Sequence, residues 1–160
     1  MSELRRARIV SSYHAFVTDR LEAGARLRAR EAGLVDADIR TFHVPGAYEL
    51  AQAAQRVAET GEWHAVVCLG CLIKGETAHF DYIAQAAAQG ITRAAQATGV
   101  PITFGVLTTN SAEEALARAG DGPANKGREA AEAALAMAAL YASIDHGVAQ
   151  GAADRTAAGS

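Results

Sequence analysis

The sequence predicts an α/β protein in which a parallel sheet is covered by helices. Short β-rich runs alternate with longer helical patterns along the 160 residues, and there are no internal repeats. Such alternation favours parallel strands joined by crossover helices. Half of the residues are hydrophobic and 21% are charged, which is typical of a globular domain. We therefore expect one domain over residues 1–146. A disordered tail is expected over 147–160, where the pattern collapses into small and polar residues.

Each element follows from a local pattern. Runs rich in apolar residues predict strands at residues 8–12, 38–43, 65–73 and 101–107. Helices are predicted at residues 18–32, 47–60, 77–98, 111–119 and 125–143. The third helix has the clearest apolar stripe, formed by Phe80, Ile83, Ala87, Ile91 and Ala94.

Smaller signals mark the helix ends and surfaces. Gly33, Gly61, Gly99 and Gly120 stand where helices should stop, and Ser111 with Glu114 forms a capping-box pattern. The second, third and fifth helices carry alanine on more than one face, which predicts close contacts between subunits. The high helix propensity of alanine is the simpler explanation.

Charge and composition exclude several functions. The net charge of −3 contains no long run of either sign, so a nucleic-acid or polybasic membrane surface is not expected. The longest dense apolar run, residues 66–73, is too short to cross a bilayer, and a cytoplasmic protein is expected. The glycines fit neither a Walker loop nor a dinucleotide fingerprint, so no nucleotide cofactor is predicted.

No metal site is predicted either. Cys68 and Cys71 form a C-x-x-C pattern inside an apolar strand, where residues an odd number apart face opposite sides. We interpret them as two small hydrophobic residues rather than as a redox or zinc motif. The histidines outside the third strand-to-helix turn each stand alone, and none has the i, i+4 partner of a helical metal site.

Polar motifs follow all four predicted strands, where ligands of parallel sheets bind. They are SSYH at 11–14, HVPGAYE at 43–49, GCLIKGETAHFD at 70–81 and the segment from Phe104 to Asn110. In the third motif, a tight turn at Gly75–Thr77 opens a helix, so its backbone N–H groups favour an anion such as phosphate. The helix dipole there favours a neutral His79, which can accept and return a proton. A simple helix cap with a surface histidine is the alternative.

These motifs resemble those of the lumazine synthases over residues 8–142. The resemblance rests on LGCLIKGETAHFDY at 69–82, VPGAYE at 44–49, FGVLTTN at 104–110, RAG at 118–120 and NKG at 125–127. It implies a flavodoxin-like, three-layer α/β/α subunit with a four-stranded, mainly parallel sheet. It also implies a homopentamer, or a multiple of pentamers, with active sites between neighbours. Only about seven residues precede the first strand, which argues against the sixty-subunit shell of some relatives.

The resemblance also implies residue roles. Tyr13 would stack on a uracil ring, and His79 would carry protons. The uracil and ribityl groups would be held by Tyr13, Ala47, Tyr48, Glu49, Cys71, Leu72 and Ile73, with Phe104 closing the pocket from the adjacent subunit. The ketone phosphate would be bound by Glu76, Thr77 and Arg118, with Lys126 near enough to assist. No metal or other cofactor is implied. Plainer interpretations exist, because Tyr13 could be a half-buried aromatic, and Glu49 and Arg118 could serve the helix dipoles.

The implied reaction joins 5-amino-6-(D-ribitylamino)uracil to 3,4-dihydroxy-2-butanone 4-phosphate. The product is 6,7-dimethyl-8-ribityllumazine, an intermediate of riboflavin biosynthesis, and the enzyme is a transferase. The alternative is a non-catalytic paralogue that binds lumazine or riboflavin on the same fold. Intact His79, Arg118 and Glu76–Thr77 argue against it, because a pure binder needs neither phosphate nor proton chemistry. A generic signalling domain of this fold is a more distant alternative.

Overall fold

The computed structural model describes residues 5–158 and confirms the predicted α/β class. The strands are β1 (Arg6–Ser11), β2 (Ile39–Val44), β3 (Ala65–Ile73) and β4 (Ile102–Thr109). The helices are α1 (Ala15–Glu31), α2 (Leu50–Glu59), α3 (His79–Thr98), α4 (Ala112–Ala117) and α5 (Lys126–Ala158). The strands pair in the order β2-β1-β3-β4, and every pair is parallel.

The sheet lies between two helical layers. On one face, α1 packs against α5 and both cover β3, and α5 also covers β4. On the other face, α2 packs against α3, and these helices cover β1, β3 and β4. Each layer encloses its own buried apolar cluster. Because both faces are covered, the central strand β3 is a continuous run of apolar residues and glycine, as is typical of parallel sheets. No helix within the described residues 5–158 is both long and apolar enough to span a membrane.

Three helices begin at places that differ from the prediction. α1 begins at Ala15 rather than at residue 18, because the His14 carbonyl accepts hydrogen bonds from the backbone N–H groups of Val17 and Thr18. Residues 47–49 form a separate 3-10 turn before α2. α3 begins at His79, and the Thr77 hydroxyl accepts a long 3.4 Å hydrogen bond from the His79 N–H. Thr77 therefore supports the first turn of α3 without being its N-cap residue.

The predicted capping pattern of the fourth helix is confirmed. The Glu114 N–H donates to Ser111 Oγ at 3.1 Å, and Glu114 Oε2 accepts from the Asn110 N–H at 2.9 Å. Gly33, Gly61 and Gly99 adopt positive φ as expected. In the last loop, Gly122 rather than Gly120 has this conformation.

α5 is longer than predicted and includes most of the expected tail. It continues from Lys126 to Ala158, past the predicted end at residue 143. Alanine is the best helix former and no proline interrupts the segment, so Gly147 and Gly151, each costing about 1 kcal/mol, do not end the helix. Residues 159–160 of the predicted tail lie outside the described residues.

Glycines let helices approach their neighbours closely on both faces. A Cβ atom at Gly90 on α3 would lie 2.7 Å from the Ala51 Cβ on α2. A Cβ atom at Gly127 on α5 would overlap the Leu21 carbonyl of α1, and one at Gly24 would overlap the Asn125 side chain. Part of the alanine and glycine content therefore serves packing within the subunit rather than contacts between subunits.

Asn125 joins α1, the loop after α4 and the start of α5. Its side chain is buried, and Nδ2 lies within hydrogen-bond distance of the carbonyl oxygens of Arg20 (3.1 Å), Ala119 (3.2 Å) and Gly120 (3.0 Å). Its Oδ1 accepts from the Arg128 N–H at 3.0 Å and so caps α5. One amide group thus satisfies backbone groups from three segments.

We predict that Asn125→Ala lowers the free energy of unfolding by about 2–4 kcal/mol, because a cap and buried hydrogen bonds are lost together. Urea denaturation followed by circular dichroism measures the change. Asn110→Ala, at an exposed asparagine, is the matched control and should be nearly neutral. Equal stability of the two variants would contradict the structural role given to Asn125.

Candidate functional site

An open cavity of about 930 Å³ lies at the carboxyl ends of β1, β2 and β3. Eight of the predicted site residues line it: Tyr13, Ala47, Tyr48, Glu49, Leu72, Ile73, Thr77 and His79. We call it the carboxyl-edge cavity. It occupies the position at which open parallel sheets bind ligands, beside the point where connections leave β1 and β3 in opposite directions.

Tyr13 presents its ring to this cavity. The side chain is 64% exposed, so it is not the half-buried core aromatic of the alternative interpretation. The Tyr13 backbone is held by a hydrogen bond from its N–H to Ser11 Oγ at 3.2 Å. The ring packs edge-on against His14, with centroids 4.4 Å apart. An exposed, oriented aromatic ring of this kind can stack on a planar heterocycle.

The backbone conformation of His14 sets the path of the chain next to Tyr13, just after β1. Its φ of 61° places it in the left-handed region, which a non-glycine residue rarely adopts, and its ring also contacts Phe16 edge-on. Backbone strain of this kind is often found at functional sites. Partial burial lowers the pKa of His14, so its imidazole is neutral at physiological pH.

His79 lies at the opposite wall, at the first residue of α3. His79 and Thr77 are both exposed to the cavity, and Gly75 also lines it. Glu76 is exposed too but is not among the lining residues. This turn therefore offers a hydroxyl, an imidazole and the N-terminal end of a 20-residue helix on one side of the cavity. Such a combination favours an anion next to a proton carrier.

Three further predicted residues lie in a second cavity, of about 380 Å³, along β4 and the start of α5. Phe104, Arg118 and Lys126 line it together with Thr108 and Glu129. Lys126 Nζ pairs with Glu129 Oε2 at 2.8 Å, while Arg118 Nη1 donates to the Glu114 carbonyl at 3.2 Å. We call this the β4–α5 cavity. Because Lys126 is paired with Glu129, Arg118 is the cation of this cavity that can pair with an anionic group of a ligand.

Arg118 lies apart from Glu76 and Thr77 within one subunit. The resemblance implied that these three residues bind one phosphate and assigned only Phe104 to the adjacent subunit, but Arg118 lines the same cavity as Phe104. Within one subunit, therefore, His79 and Arg118 do not line the same cavity.

The side chains of both cysteines are buried in the core. Both are buried on β3, with Cys68 in the cluster under α2 and α3 and Cys71 in the cluster under α1 and α5. Burial raises the pKa of the Cys68 thiol to about 12 and that of Cys71 to about 11. They face opposite sides of the sheet as predicted. Within residues 5–158, no group of three or more potential metal ligands forms either.

Several residues that line the carboxyl-edge cavity were not predicted from the sequence as site residues. His14, Pro45, Phe80, Tyr82 and Ile83 also line the carboxyl-edge cavity. Phe80 and Ile83 were interpreted only as core positions, yet both are partly buried and serve the core and the cavity together. The sequence contained a signal for both, because Phe80 follows His79 directly and Ile83 lies one turn after it on α3.

The fold and its cavities describe an α/β protein with a cavity at the carboxyl edge of its sheet that is large enough for a small molecule. The family model for 6,7-dimethyl-8-ribityllumazine synthase matches residues 3–142. A relative named 6,7-dimethyl-8-ribityllumazine synthase, from Salinibacter ruber, is 43% identical over 141 residues, which cover 88% of this chain and 90% of the relative. The chain belongs to the 6,7-dimethyl-8-ribityllumazine synthase family, as its motifs indicated.

We predict that neither cysteine of the native protein reacts with a thiol reagent at pH 8. With pKa values raised this far, about one Cys71 thiol in a thousand is ionised at that pH, and both side chains are buried. Absorbance after addition of a chromogenic disulfide measures the reaction. Both cysteines should react in guanidinium, and an added thiol in Glu62→Cys, at an exposed position, should react at once. Fast labelling of the native wild type would contradict the buried assignment.

Proposed function

We propose that this chain condenses 5-amino-6-(D-ribitylamino)uracil with 3,4-dihydroxy-2-butanone 4-phosphate to give 6,7-dimethyl-8-ribityllumazine, phosphate and water. It would do so in the cytoplasm, without a metal or other cofactor. The observation that carries this proposal is the carboxyl-edge cavity, where an exposed aromatic ring, a helix N-terminus and His79 face one space. Family membership supplies the reaction that these groups would perform.

The uracil would lie against Tyr13, whose exposed ring offers a stacking surface. The 3-10 turn Ala47–Glu49 and the end of β3 at Leu72–Ile73 would bind its polar edge and the ribityl chain. Backbone groups are suited to this because Ala47 and Leu72 have no polar side-chain atoms. Cys71 could contribute only its backbone, since its side chain lies in the core under α1 and α5.

The ketone phosphate would bind at the turn before α3, where Glu76 and Thr77 are exposed. The uracil's 5-amine attacks the ketone carbon, and loss of water leaves an imine. Phosphate is then eliminated, and the ribityl-bearing amine closes the second ring with loss of water. Each step moves a proton, which His79 can accept and return. Holding two substrates side by side supplies much of the rate, because it removes the entropic cost of their encounter.

A complete site would require a second copy of the chain. Arg118, Phe104 and Lys126 line the β4–α5 cavity, which is separate from the carboxyl-edge cavity in one subunit. Phe104 is 45% exposed on β4, the edge strand of the sheet. We infer a homopentamer, or a multiple of pentamers, in which the β4–α5 cavity of one subunit completes the carboxyl-edge cavity of its neighbour. Arg118 would then pair with the phosphate, and Phe104 would close the pocket.

We predict that His79→Ala lowers turnover by about 100-fold, the lower end of the range for a positioned proton carrier, because water can substitute in part. Steady-state assays across pH measure this, and circular dichroism checks that the fold is retained. His146→Ala, at an exposed histidine of α5, is the matched control and should keep full turnover. Wild-type turnover of His79→Ala at every pH would remove its assigned role.

We predict that inactive His79→Ala and Arg118→Ala chains regain activity when they are co-assembled. If the two residues come from different subunits, about one quarter of the pockets in a random mixture carry neither lesion. Mixed particles are prepared by refolding differently tagged chains together and purifying through both tags. The matched control pairs Arg118→Ala with Phe104→Ala, whose lesions share one cavity and should not complement. No recovery in truly mixed His79→Ala and Arg118→Ala particles would overturn the inter-subunit site.

A further inference from the structure

Two arginines are buried inside the sheet, away from both cavities. Arg6 and Arg8 alternate along β1 with Ala7 and Ile9, and their side chains enter the layer under α1 and α5. They are only 4% and 3% exposed. Arginine is rarely buried to this extent unless its charge is paired. A central strand of a parallel sheet normally carries apolar residues at such positions.

Arg8 is only partly paired. Its Nε donates to Thr41 Oγ1 at 3.0 Å, and its Nη2 lies 3.7 Å from Glu22 Oε1. That same carboxylate oxygen also accepts from Thr41 Oγ1 at 3.1 Å and from Arg26 Nη2 at 3.2 Å. The carboxylate of Glu22 is therefore shared between Arg8 and Arg26, and Arg26 also approaches Asp36 Oδ1 at 3.9 Å.

Arg6 is paired less well than Arg8. Its Nη1 donates to the Arg5 carbonyl at 3.2 Å, and it forms no ion pair with any residue in the described range 5–158. Asp38 favours its charge only from a distance. Burial lowers the pKa of both arginines, that of Arg8 to about 10, so both remain charged at neutral pH. Among the described residues, Arg8 thus has one shared carboxylate close to it, and Arg6 has none within ion-pair distance.

The unpaired donors adjoin a small cavity. Nε and Nη2 of Arg6 and Nη1 of Arg8 are buried and have no hydrogen-bond partner among the described residues. The two arginines line a cavity of about 20 Å³ whose other walls are apolar: Ala25, Ala29, Ile39, Val67, Ala131, Ala134 and Leu135. The alanines of α1 and α5 leave this space because their side chains are short. It has room for one water, which needs about 10–15 Å³, and a single halide ion is only slightly larger than a water.

We propose that this cavity is a binding site for one small monovalent anion, held by the buried guanidinium groups of Arg6 and Arg8. A water could accept these hydrogen bonds but could not balance the charge. A halide does both, since it accepts several N–H groups at once and has no donors to satisfy. A phosphate or sulfate is too large for the space. The site therefore makes the stability of the fold depend on the anion in solution.

The test titrates chloride into the full-length protein in sodium gluconate at constant ionic strength. The Tm should rise along a saturable curve by roughly 2–4 °C, because a ligand that binds only the folded state stabilises it. Arg6→Met/Arg8→Met should abolish this dependence. The matched control Arg56→Met/Arg93→Met, at exposed arginines, should retain it. A Tm that rises without saturation, or equally in both double variants, would overturn the proposal.

Crystals of the wild-type protein grown in bromide provide a second measurement that does not depend on whether the variants fold. An anomalous peak between Arg6 and Arg8, together with the saturable rise in Tm, supports the site. A bromide peak without that rise identifies an adventitious ion only and overturns the proposal. A water at this position with no bromide peak overturns it as well.

Discussion

The arrangement of the α1–α5 layer depends on the buried amide of Asn125. A buried donor without an acceptor is costly, and here one side chain satisfies carbonyls of α1 and of the loop after α4 while it caps α5. The close approach at Gly24 and Gly127 leaves no room for a larger side chain between the helices. The start of α5 is consequently fixed against α1, and this fixes where the helix lies along the sheet.

The same constraint positions part of the site. The Lys126 N–H donates to the Arg118 carbonyl at 2.9 Å, so the residue after Asn125 is tied to the residue that ends α4. Both side chains then reach the β4–α5 cavity from adjoining backbone positions. The position of His79 does not depend on Asn125, because it is determined by the end of β3 and the first turn of α3. The two groups of residues that we propose to form one site are thus positioned by opposite layers of the subunit.

Local sequence patterns predicted most of the fold. They failed where a tertiary contact determines the local structure. The bounds of β3 were predicted without error because polar residues flank a continuous apolar run. The start of α1, in contrast, depends on the strained backbone of His14, which no local sequence pattern indicates. The alternation of Arg6 and Arg8 with Ala7 and Ile9 was visible in the sequence. This alternation does not predict that the arginines are buried. Because helices cover both faces of the sheet, alternate residues of a strand do not divide into a buried face and an exposed face. The separation of Arg118 from Thr77 is likewise a property of the folded chain.

The length of α5 determines how far the end of the chain lies from the part of the subunit that matches the family. At a rise of 1.5 Å per residue, the sixteen residues from 143 to 158 extend the helix by about 24 Å beyond the end of the family match at residue 142. The side chains of residues 143–147 are exposed, so this part of α5 is not buried against its own subunit. A fluorophore or affinity tag joined near residue 158 would lie about 24 Å beyond residue 142 along the helix axis. In an assembled particle, the distances between such labels would follow the symmetry of the assembly.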